Sequence, residues 1–343
     1  MNNDSQNDKN KIMKLKKAII KVIVFFDMFD YPLTVLEIWQ NLEVKCELLE
    51  VMMALENEMQ PLYPPCQGGS SNLWGKIKSE NGFYFLSGRE KNIIERMDNY
   101  NFADRKFKRA RFVAKIFKFI PWIKMIGVNS FGSRNLRDNG DIDLFIITDD
   151  KRIWLTRFFC VGIIKLLGLR PQLNNNLDKS GSCRDKICLS FYVSLSALNL
   201  EKLRLGQDDL GFTYWLAGLT LIYNINNAHQ KLVNANQWLV DILPNWFVVT
   251  LRQNQMARDS GGVKINKPFY TKYKIQNTKY NLDGLESRFK FLQLKILPQK
   301  LKSMMNRDSR VVINDQIIKL HSNDRRDEYI KKMTNYEIFR KNN

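Results

Sequence analysis

Val128-Asn-Ser-Phe-Gly-Ser-Arg-Asn-Leu-Arg-Asp-Asn-Gly-Asp-Ile-Asp-Leu-Phe-Ile-Ile147 sets a Gly-Ser turn, Gly132-Ser133, ahead of two aspartates, Asp141 and Asp143, that open an apolar run. Side chains at i and i+2 of a strand share a face. Asp141 and Asp143 therefore project together, while Ile142 and Leu144 point to the other side. Two carboxylates so placed repel one another and call for a shared cation. Hard oxygen donors suit Mg²⁺, which is commonly held by one or two carboxylates plus substrate phosphates. Upstream, Met125 to Asn129 reads as a strand. Gly132-Ser133 then opens a short helical turn whose free N–H groups suit a polyphosphate.

The order of strand, Gly-Ser, helical turn and Asp-x-Asp strand resembles the nucleotidyltransferase superfamily typified by DNA polymerase β, over the stretch from Ile123 to Ser194. The resemblance implies an α+β fold with a nucleotidyltransferase core, a small mixed sheet with helices. It implies that Gly132 and Ser133 contact the β- and γ-phosphates of an NTP, that Asp141 and Asp143 hold one or two Mg²⁺ (or Mn²⁺) ions, and that Arg134 or Lys186 offsets negative charge. Seven residues separate Ser133 from Asp141, fewer than in many members.

The superfamily carries a third carboxylate on a later strand. Here that strand is Lys186-Ile-Cys-Leu-Ser-Phe-Tyr-Val-Ser194. Strict alternation gives it one face of Ile187, Leu189, Phe191 and Val193 and another of Lys186, Cys188, Ser190, Tyr192 and Ser194, and neither holds Asp or Glu. Asp185, just before the strand, is the candidate substitute. A site one ligand short would bind a nucleotide with slow or absent transfer, because two-metal chemistry clamps both attacking and leaving oxygens.

The 343 residues suit two or three domains with a sizeable core. Fifty-four Lys and Arg against 35 Asp and Glu give a net charge of +19, which favours polyanionic partners such as nucleotides, nucleic acid or an anionic membrane face. The five cysteines, Cys46, Cys66, Cys160, Cys183 and Cys188, show no zinc-like pairing and read as reduced thiols of a cytoplasmic protein. Lys21 and Asp27 interrupt the first apolar run, so no signal peptide is expected. Arg157 and Lys165 break the apolar helix Ile153 to Leu169, and no run reaches the ~20 residues of a membrane span.

Residues 1–10 are polar and expected to be disordered. Residues 11–88 have the order of a winged helix: a helix ending before Pro32, a second helix after the capping box Thr34-Val-Leu-Glu37, a third over Cys46 to Met59, and a β-element at Gly82 to Leu86. The third helix carries Glu47, Glu50, Glu56 and Glu58, which repel phosphate, so packing or protein contact is favoured over DNA reading. Residues 89–120 form a basic helical linker. Its stretch over 105–118, with Arg105, Lys108, Arg109 and Arg111, reads first as an amphipathic helix bracing the catalytic sheet, through Phe107, Ala110, Ala114 and Phe117, and is also the candidate nucleic-acid contact.

The core is expected over 121–200, a helical domain over 201–310 and a tail with a strand-like run over 311–343. Within the helical domain, Asp208 to Ile222 and Asn226 to Ile242 read as two packed helices. Phe26-Asp-Met-Phe-Asp-Tyr-Pro-Leu-Thr34, Tyr214-Trp-Leu, Asn236-Gln-Trp-Leu and Leu243-Pro-Asn together resemble a bacterial group of nucleotidyltransferase-domain proteins. The implied activity is transfer of NMP from an NTP to an acceptor hydroxyl. The competing expectations are a catalytically inactive nucleotide sensor or nucleic-acid scaffold on the same fold, and a membrane-surface protein using its cationic faces.

Overall fold

Strands on either side of the Asp-x-Asp motif form the middle of a mixed sheet, and everything that places the motif follows from their pairing. The computed structural model describes residues 2–59, 76–129, 137–171, 183–246 and 282–336. These contain eleven α-helices, a mixed six-stranded sheet and a three-stranded antiparallel sheet, an α+β architecture. They fall into two compact units. One comprises described residues up to Asp98 with 238–246 and 327–336, and the other 99–237 with 282–326.

The first unit runs α1 (Asn2–Asp27), β1 (Leu33–Thr34), α2 (Val35–Gln40), α3 (Leu48–Met59), β2 (Ile77–Glu80) and β3 (Phe83–Leu86), with β3 between β1 and β2. Helix α1 begins at Asn2, so the polar stretch expected to be disordered is helical. Thr34 and Glu37 form the expected capping box. Glu37 does more than cap. It accepts from Tyr31 Oη at 2.8 Å and from Arg96 Nη2 at 2.8 Å. Arg96 is 2% exposed, bonds the Pro32 carbonyl, and lies between the rings of Tyr31 and Phe83, 4.2 and 4.6 Å from their centroids. Buried Asn245 ties Leu243-Pro-Asn245 to the last turn of α2 through the Trp39 carbonyl and to the α2–α3 connection through that of Val44.

The second unit takes the later part of α4 (Asn92–Phe117), then β4 (Ile123–Asn129), β5 (Ile142–Thr148), α5 (Ile153–Leu166), β6 (Ile187–Ser194), α6 (Leu210–Ala217), β7 (Leu219–Asn224) and α7 (Ala228–Ala235). A short α8 (Gln237–Ile242) follows, and α9 (Leu282–Lys295), α10 (Gln299–Met304), β8 (Val311–Ile313) and β9 (Ile317–Leu320) complete the sheet and its cover before α11 (Arg326–Asn335). The strand order is β7-β4-β5-β6-β9-β8. Only β5 and β6 are parallel, joined through α5 as parallel pairing requires. Where one helix was expected over Asp208 to Ile222, Gly218 ends α6 and the β-rich run Leu-Thr-Leu-Ile-Tyr-Asn pairs with β4 as an edge strand.

One sheet face is packed by Phe107, Val113 and Phe117 of α4, Trp154 and Cys160 of α5, and Leu294 and Leu301 beyond, against Val128, Ile142, Leu144 and Ile146. The other face carries an aromatic stack in which Phe145, Phe191 and Trp215 lie with centroids 5.1 to 5.8 Å apart. Buried Asp209 caps α6 through Phe212 N and is gripped by Arg326 at 2.6 Å, which also pairs with Asp324.

Breaking a buried ion pair leaves an uncompensated charge and costs about 3–5 kcal/mol. Arg96→Ala is therefore expected to lower unfolding free energy in urea by that order. A loss below about 1 kcal/mol would show that the Glu37 carboxylate does not need its partner.

Candidate metal centre

Antiparallel β4–β5 and parallel β5–β6 pairing bring three strands together at one end of the sheet. Val128 pairs with Leu144, and Asp143 pairs with Cys188. Val128, Ile142 and Leu144 enter the helix-covered core. Alternation therefore turns Asn129, Asp141, Asp143 and Cys188 to the opposite face. One oxygen from each of Asp141 and Asp143 and the Sγ of Cys188 lie within 4.8 Å of one another. The motif's two carboxylates thus do share a face, and they meet a thiol that the sequence reading had not given a role.

The register slips by one residue beyond this point, with Asp143 opposite Cys188 but Phe145 opposite Phe191. This bulge corrects the strict alternation expected for β6. Ser190 and Phe191 both serve the site's side of the sheet, Ser190 through His321 and Phe191 through Phe145, while Tyr192 turns into the helix-covered core. Ser190 Oγ lies 2.7 Å from His321 Nε2.

Electrostatics at the cluster are adverse without a cation. Burial, then the charge of Asp141, pushes Asp143 up to about 6, with the Cys188 hydrogen bond opposing. Burial also raises Asp141. The Cys188 thiol is pushed well above its ordinary range by burial and then by the charges of Asp143 and Asp141. His321 is lowered to about 4, first by burial and then by Lys319, so its imidazole is neutral at pH 7.

Asp185 lies elsewhere in the electrostatic scheme. It is not in the group of mutually close ligand atoms, and it sits at φ 56° in the turn before β6. Its Oδ1 is 2.9 Å from Lys106 Nζ and its Oδ2 2.9 Å from Arg105 Nε. Burial alone would raise Asp185, but hydrogen bonds from Lys106 and Arg105 outweigh it and hold the carboxyl low. Lys106, 1% exposed, also bonds the carbonyls of Gly140 and of Asp138, the latter at 3.1 Å. Arg109 Nη1 donates to the Asp185 carbonyl at 3.0 Å. The basic stretch of α4 thus turns part of its charge inward, onto the two turns that lead into β5 and β6.

Lys186 Nζ bonds the Gly168 carbonyl at 2.7 Å, after the end of α5. Gly132, Ser133 and Arg134 lie outside the described residues. Cys188 carried a sequence signal only in hindsight: it is the ligating residue type on the face that lacks a carboxylate. Asn129 carried none.

The raised Asp143 gives a signed pH effect. Its folded value lies above the ordinary 3.8, so the folded state holds the proton more tightly, and the associated stability is lost as pH rises from 3.8 through about 6. With divalent ions chelated, Asp143→Asn is expected to raise stability at pH 7.5 by about 1–3 kcal/mol. The gain shrinks as pH falls towards 3.8. Denaturant melts at both ends of this range check it, and destabilisation at pH 7.5 would contradict it.

Comparison with known protein families, curated proteins and solved structures finds no match for this chain.

Proposed function

We propose that the chain is a divalent-metal-dependent nucleotidyltransferase, moving NMP from an NTP to an acceptor hydroxyl with release of pyrophosphate. The observation that carries the reading is the pair Asp141 and Asp143, turned to one face of β5 at the end of a mixed sheet and preceded in sequence by Gly132-Ser133. In the reaction the acceptor oxygen bonds to the α-phosphorus, the bond from that phosphorus to the pyrophosphate oxygen breaks, and the hydroxyl proton leaves to solvent or a base. A bound Mg²⁺ or Mn²⁺ ion would neutralise the phosphates. The chain's own part is to fix Asp141 and Asp143 on a rigid sheet and to hold the turn before them with Lys106 and Asp185. Gly132, Ser133 and Arg134 would bind the phosphates. Positioning and charge neutralisation then supply most of the catalysis.

A second reading, a nucleotide-binding scaffold without turnover, is favoured by one observation: β6 presents Cys188 rather than a carboxylate opposite Asp143. A nucleic-acid acceptor would meet the exposed Lys108, Arg111 and Lys115 of α4 and Lys118 just after it, since Arg105 and Lys106 are engaged with Asp185. The element order of the first unit supports a winged-helix reading. Its α3 carries Glu50, paired with Lys11 at 2.7 Å, which suits packing or protein contact over DNA. No helix among the described residues is long and apolar enough to cross a membrane, and the four described cysteines are free thiols. We propose a cytoplasmic location, the reading that the cysteine spacing of the sequence suggests.

Calorimetric titration with NTP is expected to show binding that needs a divalent ion and that Asp141→Asn and Asp143→Asn each weaken by at least about tenfold. Unchanged affinity in both variants would contradict the metal assignment. Incubation with α-labelled NTP and total cellular RNA, protein and metabolites separates the two readings: label transfer marks the enzyme, and binding without transfer marks the scaffold.

A further inference from the structure

A second observation at the carboxylate pair points to a ligand. Asn129 ends β4 on the face that holds Asp143, and its Oδ1 is buried with no hydrogen-bond partner among the described residues. An acceptor stranded in this way costs free energy unless a donor or a cation meets it. Three adjacent strands therefore carry Asn129, Asp143 and Cys188 on one face, with Asp141 at the entry to the middle strand. Lys106, whose charge reaches Asp141, has its ammonium spread over Gly140, Asp138 and Asp185. The group most lacking is a cation.

We propose that Asn129, Asp141, Asp143 and Cys188 form a single ion site whose three oxygens and one sulfur select a borderline divalent transition ion, Zn²⁺ foremost, over Mg²⁺. This rests on the metal reading of the proposed function and not on transfer itself. Mg²⁺ takes hard oxygen ligands in octahedral geometry, and a thiolate is a poor partner for it. Zn²⁺ accepts Cys sulfur at about 2.3 Å and carboxylate oxygen at about 2.0–2.2 Å in a tetrahedron, whose ligand atoms stand about 3.4 Å apart. The 4.8 Å limit on the Asp141, Asp143 and Cys188 ligand atoms is compatible with that spacing after a small inward shift.

Outer contacts fit a metal-bound thiolate. Ser190 hydrogen-bonds Cys188 and stands 2.7 Å from His321 Nε2. A neutral His321 donating to Ser190 leaves the Ser190 hydroxyl free to donate to sulfur, which orients the ligand and steadies its charge. On binding, the Cys188 thiol gives up its proton to solvent as the metal–sulfur bond forms. The Asn129 amide is the weakest donor of the four. It is the one that a phosphate oxygen of a nucleotide would displace.

The test uses full-length protein stripped of metal and titrated with Co²⁺, whose bond to a thiolate gives a charge-transfer band in the near ultraviolet. Wild-type protein is expected to show the band, Cys183→Ser to keep it, and Cys188→Ser and Cys188→Asp to lose it. Asn129→Ala should keep the band and weaken Co²⁺ binding by at least about tenfold. Stoichiometric Zn²⁺ should bleach the band while millimolar Mg²⁺ leaves it. Absence of the band in wild-type protein, its survival in Cys188→Ser, or its displacement by Mg²⁺ overturns the proposal. Circular dichroism of each variant guards against loss of fold, and Cys188→Asp, close in size, supplies a second variant should Cys188→Ser unfold.

NTP titration of the same samples separates the two claims. No thiolate band together with Mg²⁺-dependent NTP binding leaves the transferase reading standing and sinks this proposal. A thiolate band with no NTP binding does the reverse.

Discussion

The buried ammonium of Lys106 is the contact on which the site depends. It reaches the carbonyls of Gly140 and Asp138 before β5 and the carboxylate of Asp185 before β6, so one side chain of α4 fixes the turns that deliver Asp141, Asp143 and Cys188. A lysine with 1% exposure is costly to bury unless every proton finds an acceptor. Here the three acceptors belong to the two segments that must be held in register. Arg105 and Arg109 add a second layer through Asp138 and Asp185, and Arg184 reaches Asp138 at 3.1 Å. Part of the basic stretch that a sequence reader assigns to a polyanion, Arg105, Lys106 and Arg109, is thereby engaged inside the protein.

With the turns fixed, pairing does the rest. Parallel β5 and β6 set Asp143 beside Cys188, antiparallel β4 sets Asn129 on the other flank, and the helices α4 and α5 fill the opposite face. The cluster collects acceptors in a partly dry place. Burial lifts both carboxyls, the charge of Asp141 lifts Asp143 further, and burial with both charges lifts the thiol. Such stored electrostatic cost would be relieved by a cation, which is the physical ground for proposing a metal here.

Periodicity alone made much of this legible. Asp141 and Asp143 share a face because period two holds over three residues, and the capping box at Thr34 and Glu37 forms because its chemistry is local. Long-range terms defeated the rest. The bulge after Cys188 turns Tyr192 to the core, a shift set by how β6 packs against β5 and not by its own residues. Strand β7 was hidden because a single glycine, Gly218, is the one break between α6 and the apolar run Leu219 to Asn224, and pairing with β4 decided the state of that run. Asp185 looked like a replacement carboxylate from its place in the chain. Its cationic partners Arg105 and Lys106 lie about eighty residues away in sequence, and no local pattern announces them.

An anomalous difference map recorded at the zinc absorption edge, from crystals of the full chain grown with Zn²⁺, tests the central claim most directly. The account predicts one strong peak bonded to Asp141, Asp143 and the sulfur of Cys188, with the Asn129 amide oxygen turned towards it. No peak at this cluster, with zinc bound instead at His321 or at another thiol, would contradict it.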